Sequence, residues 1–317
     1  MPASRRDSSL TDLLRMLIPA AFTPFDANGS IHPARVAGLA QLYLETGLRH
    51  VFINGTTGES SSLSVEERLE MVEAWTRARA SELAVWVHVG HNAQREAIRM
   101  AAHAATHKAK AISARAPSYL KPGSPGDLAD FLAPVAAAAP GLPFYYYHIP
   151  SLTGLTLPID EVYAALMKAI PTLAGMKYSS ADLVGLQACM ALAPASHTFL
   201  FGSDEMLLAA LPLGVDGAIG STYNYAAPLY QQMQRCYTAG DLPQARALQQ
   251  QSVALVKTLI PFNAIAGGKA LMGFLGVDCG DVRPPLKPLT EAGCHTRYEA
   301  LQPHSYFARP LVEPTVS

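Results

Sequence analysis

Residues Pro143–Ile149 of this 317-residue chain have the sequence PFYYYHI, an almost unbroken apolar run that ends just before a proline. Runs of the same kind recur along the chain, for example AVWVHVG at Ala84–Gly90 and TFLFG at Thr198–Gly202. Continuous apolar runs are typical of strands that are buried on both faces, as in a parallel sheet. The predicted strands lie in Leu17–Phe25, His50–Asn54, Ala84–Gly90, Ala109–Ala116, Pro143–Ile149, Leu173–Ser179, Thr198–Gly202 and Gly217–Ser221.

Between these runs lie segments of helical length that open with start signals. Ser64 and Glu67 form a capping-box pattern, Asn92 stands where a cap is expected, and Ser124 precedes a proline at a first helical position. Asp182 and Asp204 open the predicted helices LVGLQACMALA and MLLAALPLG. About eight repeats of strand and helix predict a (β/α)8 barrel. The alternative, a doubly wound open sheet, lacks a G-x-G-x-x-G motif after its first strand.

The pattern changes after the eighth predicted strand. Helices without intervening strands are predicted at Tyr225–Thr238, Leu242–Leu259 and Gly267–Leu275, and the Pro-rich tail from Val282 is expected to pack on the surface. The first of these helices completes the barrel in this interpretation. The predicted organisation is a polar N-terminal segment at 1–14, a barrel at 15–238, and a C-terminal helical appendage with a tail at 239–317.

Composition excludes several classes of protein. Half of the residues are hydrophobic, only 15% are charged, and the formal net charge is −1. Disordered chains have low hydrophobicity and high net charge, so disorder is excluded. A nucleic-acid partner is not expected, because no basic excess is present. The shortage of charge predicts either a very large core or a surface that is buried against a partner.

The cysteines and the N-terminal stretch bear on compartment and metal content. Four cysteines are widely spaced without a C-x-x-C pair, which favours buried thiols in a reducing compartment. No metal is expected, because no cluster has ligand spacing and His88 and His91 lack a third partner. The apolar stretch from Leu13 is interrupted by Arg15 and Pro19, so neither a signal peptide nor a membrane helix is predicted. We therefore expect a soluble cytoplasmic protein without a membrane partner.

In such a barrel the active site lies at the carboxyl ends of the strands. The second predicted strand ends in Asn54–Glu59, with the sequence NGTTGE. Its glycines and hydroxyls are suited to a nest of N–H groups that binds carboxylate or phosphate oxygens, although the motif is also that of an ordinary strand-to-helix turn. The last two strands end in GSDE at Gly202–Glu205 and GSTYN at Gly220–Asn224.

The fifth and sixth strands carry the most informative side chains. Tyr145, Tyr146 and Tyr147 alternate between the two faces of a strand, so at least one points into the barrel. His148 follows them, and a lone histidine in such a run is more often structural. Lys177 lies in the run LAGMKY, and a lysine rarely enters a buried strand without a reason. A desolvated lysine is a nucleophile that forms Schiff bases, whereas the structural alternative is a snorkelling or paired lysine.

Four motifs in order resemble a known family. They are GTTGE at Gly55–Glu59, Y-x-I-P-x-x-T-G at Tyr147–Gly154, the lysine thirty residues after the tyrosine, and GSTYN at Gly220–Asn224. Together they resemble the N-acetylneuraminate lyase and dihydrodipicolinate synthase superfamily of class I aldolases, from about Leu17 to Leu275. Within it the resemblance is closest to the animal-type N-acetylneuraminate lyases.

The resemblance implies a barrel, a Schiff-base cleavage of sialic acid and a set of site residues. Lys177 would form the imine with C2 of the substrate, and Tyr147 would take the proton from the C4 hydroxyl as the C3–C4 bond breaks. The products would be N-acetylmannosamine and pyruvate. No cofactor is implied, because the lysine is the electron sink, and a homotetramer is the implied assembly. By the same resemblance the substrate-binding residues are Thr56, Thr57, Ser179, Gly202, Asp204, Glu205 and Ser221.

Three positions bear on which substrate is used. Dihydrodipicolinate synthases have an arginine where this chain has Leu152, so a second carboxylate on the acceptor is disfavoured. Arg115 departs from the apolar fourth strand of the family and either points toward the site or pairs with a carboxylate. Tyr119 matches a position where many members have a tyrosine that reaches a neighbouring subunit.

Two alternatives stay open: an aldolase for another 2-keto-3-deoxy sugar acid, and a non-catalytic barrel that binds pyruvate or sugar.

Overall fold

The structure is a computed structural model that describes residues 16–78, 82–260 and 263–313. The polar N-terminal segment predicted at 1–14 lies outside these residues. Eight strands form one parallel sheet in the order β1-β8-β7-β6-β5-β4-β3-β2, and helices alternate with them, which makes the fold a (β/α)8 barrel with C-terminal helices. The strands are β1 Met16–Pro19, β2 His50–Ile53, β3 Ala84–His88, β4 Ala111–Arg115, β5 Phe144–His148, β6 Leu173–Tyr178, β7 Thr198–Phe201 and β8 Gly217–Gly220.

Seven of the observed strands lie within the predicted ones, β1 begins one residue before its predicted start at Leu17, and the predicted fold class is confirmed. None of the helices in the described ranges combines the length and apolarity that crossing a membrane requires. The helices are α1 Val36–Glu45, α2 Val65–Arg77, α3 Gln94–Thr106, α4 Pro125–Ala137, α5 Pro150–Thr153, α6 Ile159–Ala169, α7 Leu183–Leu192, α8 Leu207–Ala210, α9 Tyr223–Thr238, α10 Leu242–Leu259, α11 Ala264–Phe274 and α12 Glu291–Leu301.

The chain divides into two compact units, which are described separately. The first consists chiefly of Val85–Ile219 and contains the parallel pairs from β3 to β8. Every residue of β5 is buried, as its continuous apolar run predicts. The second unit consists of Leu17–Ala84 and the residues from Gly220 onward. In it, α9 packs against α10 and α11, and the Asn224 side chain donates a 2.8 Å hydrogen bond to the Ala20 carbonyl.

Most of the predicted helix starts are confirmed. The Ser64 hydroxyl accepts a 3.1 Å bond from the Glu67 N–H, and the Glu67 carboxylate accepts a 2.8 Å bond from the Ser64 N–H. The Ser124 and Asp182 side chains cap α4 and α7 by accepting single bonds from the N–H groups of Asp127 and Gly185. The predicted cap at Asn92 is wrong, because its side-chain oxygen accepts from the N–H and hydroxyl of Ser118 instead.

Other predictions about the helices need correction. The helix expected after Asp204 is divided into two 3-10 turns around the four residues of α8, and Pro212 contributes to the break because it cannot donate a backbone bond. The third C-terminal helix starts at Ala264, three residues before the predicted Gly267, because Asn263 caps it. The Pro-rich tail contains α12, which was not predicted, and the Thr290 hydroxyl caps this helix.

Candidate active site

Lys177 and Tyr147 lie side by side on β6 and β5. The two residues are opposite each other in the strand register, and each is buried, with 4% and 3% of its surface exposed. The Lys177 Nζ lies 4.2 Å from the centroid of the Tyr147 ring. Residues that are opposite in a parallel pair share a face of the sheet, so an amine and a phenol meet there in a largely water-free setting. This pair provides a nucleophile and a proton-transfer group for one bound molecule.

The neighbouring positions on β5 separate structural from site residues. Tyr146 and His148 point to the opposite face, where the His148 ring lies 4.9 Å from that of Tyr178. Burial lowers the pKa of His148 to about 4, against a smaller opposing effect of Asp182, so this histidine is neutral near pH 7. The structure therefore favours the structural interpretation of His148.

His88 and Arg115 border Tyr147 on the other side from Lys177. The rings of His88 and Tyr147 meet edge to face, with centroids 5.5 Å apart and an interplanar angle of 87°. Arg115 is the register neighbour of Tyr147 on β4. No catalytic or binding role for His88 was predicted from the sequence. Its position at the end of a buried strand was the available signal, but its contact with Tyr147 depends on the register between strands.

The structure decides between the two interpretations of Arg115. Its Nη1 donates a 2.9 Å bond to the carbonyl of Ala116, and the described residues include no carboxylate that forms an ion pair with it. Burial lowers the pKa of the Arg115 guanidinium, and Tyr147 partly opposes this shift. A half-buried cation thus stands on the same face as Tyr147 and Lys177. This charge attracts any anion or developing negative charge at that face.

The ends of β6 and β7 bring Ser179 and Gly202 together. The Gly202 N–H donates a 2.7 Å bond to the carbonyl of Tyr178, and a Cβ at position 202 would collide with the Ser179 hydroxyl. The position of the Ser179 hydroxyl therefore requires a glycine at position 202. Beyond them, Asp204 is buried with 5% of its surface exposed, whereas Glu205 is exposed. The two acids therefore stand in different surroundings although they are adjacent in sequence.

The NGTTGE loop belongs to the second compact unit and follows β2. Asn54 and Glu59 at its two ends have positive φ angles of 56° and 53°, an uncommon conformation for residues other than glycine. The Glu59 N–H donates a 3.0 Å bond to the carbonyl of Thr56, which closes the turn. Thr57 is buried and Thr56 half-buried. Such strained residues persist where the surroundings hold them, and they are frequent at binding sites.

The remaining predicted residues are half-buried or exposed. Ser221 is half-buried in the second unit, and its carbonyl accepts a 2.7 Å bond from the Asn224 side chain. Tyr119 and Leu152 lie at the surface, with 87% and 58% of their area exposed. Neither of these two side chains is buried as Lys177 and Tyr147 are.

Comparisons with known proteins identify relatives over most of the chain. The model of the dihydrodipicolinate synthetase family matches residues 13–303. The N-acetylneuraminate lyase of Rattus norvegicus is 38% identical over 286 residues, which cover 88% of each chain. That of Homo sapiens is 38% identical and covers 86% of this chain and 87% of its own. The structure of the Proteus mirabilis N-acetylneuraminate lyase superposes with a TM-score of 0.89 at 34% identity and covers 94% of this chain and 99% of its own.

Proposed function

The chain belongs to the dihydrodipicolinate synthetase family, and from that premise we propose that it is a Schiff-base aldolase that cleaves N-acetylneuraminate to N-acetylmannosamine and pyruvate. The substrate is inferred from the relatives that bear the name N-acetylneuraminate lyase. The chemistry is inferred chiefly from one observation: the buried Lys177 amine lies 4.2 Å from the centroid of the Tyr147 ring.

In the proposed reaction, the Lys177 amine attacks C2 of the open-chain sugar acid and water leaves, which gives an iminium. The C3–C4 bond then breaks, and its electron pair moves into the iminium to give an enamine. As the C4 hydroxyl becomes the aldehyde of N-acetylmannosamine, it gives its proton to the Tyr147 oxygen, and the hydroxyl proton of Tyr147 is passed on to C3 of the enamine. Protonation of the enamine at C3 and hydrolysis of the imine release pyruvate. No cofactor takes part, because the iminium itself accepts the electrons.

The binding roles rest on the resemblance to the family. Thr56 and Thr57 are assigned the carboxylate of the pyruvate moiety, because a turn with hydroxyl and N–H donors suits an anion. The hydroxyls and the tail of the sugar are assigned to Ser179, Gly202, Asp204, Glu205 and Ser221. Carboxylates accept hydrogen bonds from hydroxyl groups, so Asp204 and Glu205 favour a polyhydroxylated acceptor.

A second candidate substrate class is favoured by Arg115. A guanidinium on the face of Lys177 and Tyr147 is suited to a sugar acid that carries an additional anionic group. Leu152, which stands where the synthases have an arginine, speaks against such a substrate. We therefore retain an aldolase for another 2-keto-3-deoxy sugar acid as the alternative function.

Two assays on the wild-type protein test the proposal. Incubation with pyruvate and borohydride, followed by mass spectrometry, is expected to yield an adduct on Lys177; its absence would rule out both aldolase functions. Pyruvate release is then followed with N-acetylneuraminate and with other 2-keto-3-deoxy acids, both neutral and charged. Turnover of another acid at an equal or higher kcat/KM would replace the first function with the second.

Replacing Arg115 with methionine is expected to raise the free energy of unfolding by about 1 kcal/mol, because a desolvated charge without a carboxylate gives way to an apolar chain of similar length. The same change is expected to lower kcat about tenfold, because the guanidinium stabilises the partial negative charge that the Tyr147 oxygen carries while it passes its own proton on. Urea denaturation and steady-state kinetics measure the two effects. Arg95→Met, at an exposed position of α3, serves as control and should change neither. A less stable Arg115→Met protein with wild-type kcat would contradict both expectations.

The assembly and location are part of the same proposal. The family resemblance implies a homotetramer, for which the exposed side chains of Tyr119 and Leu120 offer apolar surface. A cytoplasmic location agrees with the four free cysteines, two of which are buried. Size-exclusion chromatography with light scattering tests the assembly.

A further inference from the structure

A buried ion pair joins the NGTTGE loop to a C-terminal helix within the second compact unit. The Nζ of Lys269, on α11, lies 2.8 Å from the Oε1 of Glu59, and the two side chains are only 2% and 1% exposed. Lysine and glutamate are among the residues that are least often fully buried. None of the reaction steps above uses either residue, so the pair needs another explanation.

Both members of the pair are held by further contacts. The Lys269 Nζ donates a 2.8 Å bond to the carbonyl of Asp281 and lies 3.9 Å from the centroid of the Phe25 ring. The other oxygen of Glu59 accepts a 2.9 Å bond from the N–H of Arg283. The carboxylate of Glu59 is therefore fixed from two directions, by α11 and by the chain segment that follows it.

Stability alone is a weak reason for such a pair. Removing two charges from water costs free energy that their mutual attraction often does not recover, and apolar replacements are frequently as stable. What the pair does provide is a defined place for Glu59. This residue has a positive φ angle, follows the two threonines after one glycine, and binds the carbonyl of Thr56 through its own N–H. A shift of Glu59 would therefore change the conformation of the turn that carries both hydroxyls.

Other contacts hold the loop before its last residue. The hydroxyl of Thr23 donates a 2.7 Å bond to the carbonyl of Gly58, and the Asn54 amide donates a 2.9 Å bond to the carbonyl of Arg68. These contacts hold the start and the middle of the turn. The ion pair holds the last residue, and it ties that residue to a helix far away in the sequence.

We propose that Glu59 and Lys269 are positioning residues for the carboxylate-binding turn, so that the C-terminal helix α11 helps to set the affinity for pyruvate. This inference rests on the proposed function, in which Thr56 and Thr57 bind the carboxylate. The pair does not touch the reacting carbonyl. Its loss should therefore weaken the binding of pyruvate and leave the capacity of Lys177 to form an imine intact.

The test compares Lys269→Met with the double variant Glu59→Leu/Lys269→Met. The readout is the yield of borohydride-trapped adduct on Lys177 as a function of pyruvate concentration. We expect the half-saturating pyruvate concentration to rise at least tenfold in both variants, whereas the adduct yield at saturation equals that of the wild type. Lys257→Met, which removes an exposed lysine from the neighbouring helix α10, is the matched control and should behave as the wild type.

The double variant keeps the test decisive if Lys269→Met alone fails to fold, because it leaves no unpaired buried carboxylate. Circular dichroism and thermal unfolding monitor the fold of each protein. A folded double variant with the wild-type half-saturating concentration would overturn the positioning role. If the wild type itself forms no adduct, the proposed function fails and this inference with it. The wild type therefore reports on the proposed function, and the double variant reports on the ion pair.

Discussion

Lys177→Ala is expected to abolish the covalent capture of pyruvate and to lower the rate of N-acetylneuraminate cleavage by about 10⁴-fold or more, as is typical when a covalent nucleophile is removed. The methyl group of alanine has no lone pair, so neither the imine nor the enamine can form. The other contacts of the substrate stay in place, and a weak residual binding is compatible with this result. The measurements are borohydride trapping followed by peptide mapping, and a pyruvate-release assay.

A control variant tests whether the effect of Lys177→Ala is specific to this lysine. Lys168 is an exposed lysine on α6 of the same unit, and Lys168→Ala should retain both the adduct and the rate. A pyruvate adduct of undiminished yield at another lysine in Lys177→Ala would show that the nucleophile has been assigned to the wrong residue. Retention of the fold is checked by the thermal unfolding transition, which should change little.

Tyr147→Phe is expected to form the imine normally but to lower kcat by about 10²- to 10⁴-fold, the usual range for the loss of a general acid or base. Phenylalanine keeps the ring that packs beneath the Lys177 amine and beside His88, so only the hydroxyl is lost. Trapping with pyruvate should therefore match the wild type, while the release of pyruvate from N-acetylneuraminate becomes slow. Single-turnover kinetics separate the two steps.

Tyr145 provides the control, because it lies two residues earlier on the same face of β5. Its hydroxyl forms a hydrogen bond with Thr198, and burial raises its pKa. Tyr145→Phe should lower stability through the lost bond and keep kcat within a factor of a few. If Tyr147→Phe and Tyr145→Phe have the same kcat, the proton transfer belongs to another group.

The fold and the central pair were predictable because they depend on local patterns. Buried strands in a parallel sheet are apolar without interruption, and β5 and β6 lie inside the runs that the sequence predicts. The alternation of side chains along a strand places Tyr146 on the opposite face from Tyr145 and Tyr147, and the family resemblance then selects Tyr147. Lys177 was predicted to be functional because charged side chains are rare on buried strands.

The features that were missed depend on contacts between distant parts of the chain. Asn92 has the right type and place for a helix cap, yet its side chain binds Ser118 on the loop after β4. The contact between His88 and Tyr147 follows from the register of three strands, and no short motif encodes it. The pairing of Glu59 with Lys269 likewise joins residues far apart in sequence, in two segments that look ordinary by themselves.

Gly175 has a consequence for attempts to change the substrate range by laboratory evolution. It lies opposite Thr198, its φ angle is 151°, and a Cβ there would collide with the Thr198 carbonyl. Any larger residue would push β6 from β7 and displace Lys177, two positions further on. A mutant library should therefore keep codon 175 invariant. Diversity belongs at Leu152 and Glu205, whose exposed side chains are free to vary without moving the strand that carries the nucleophile.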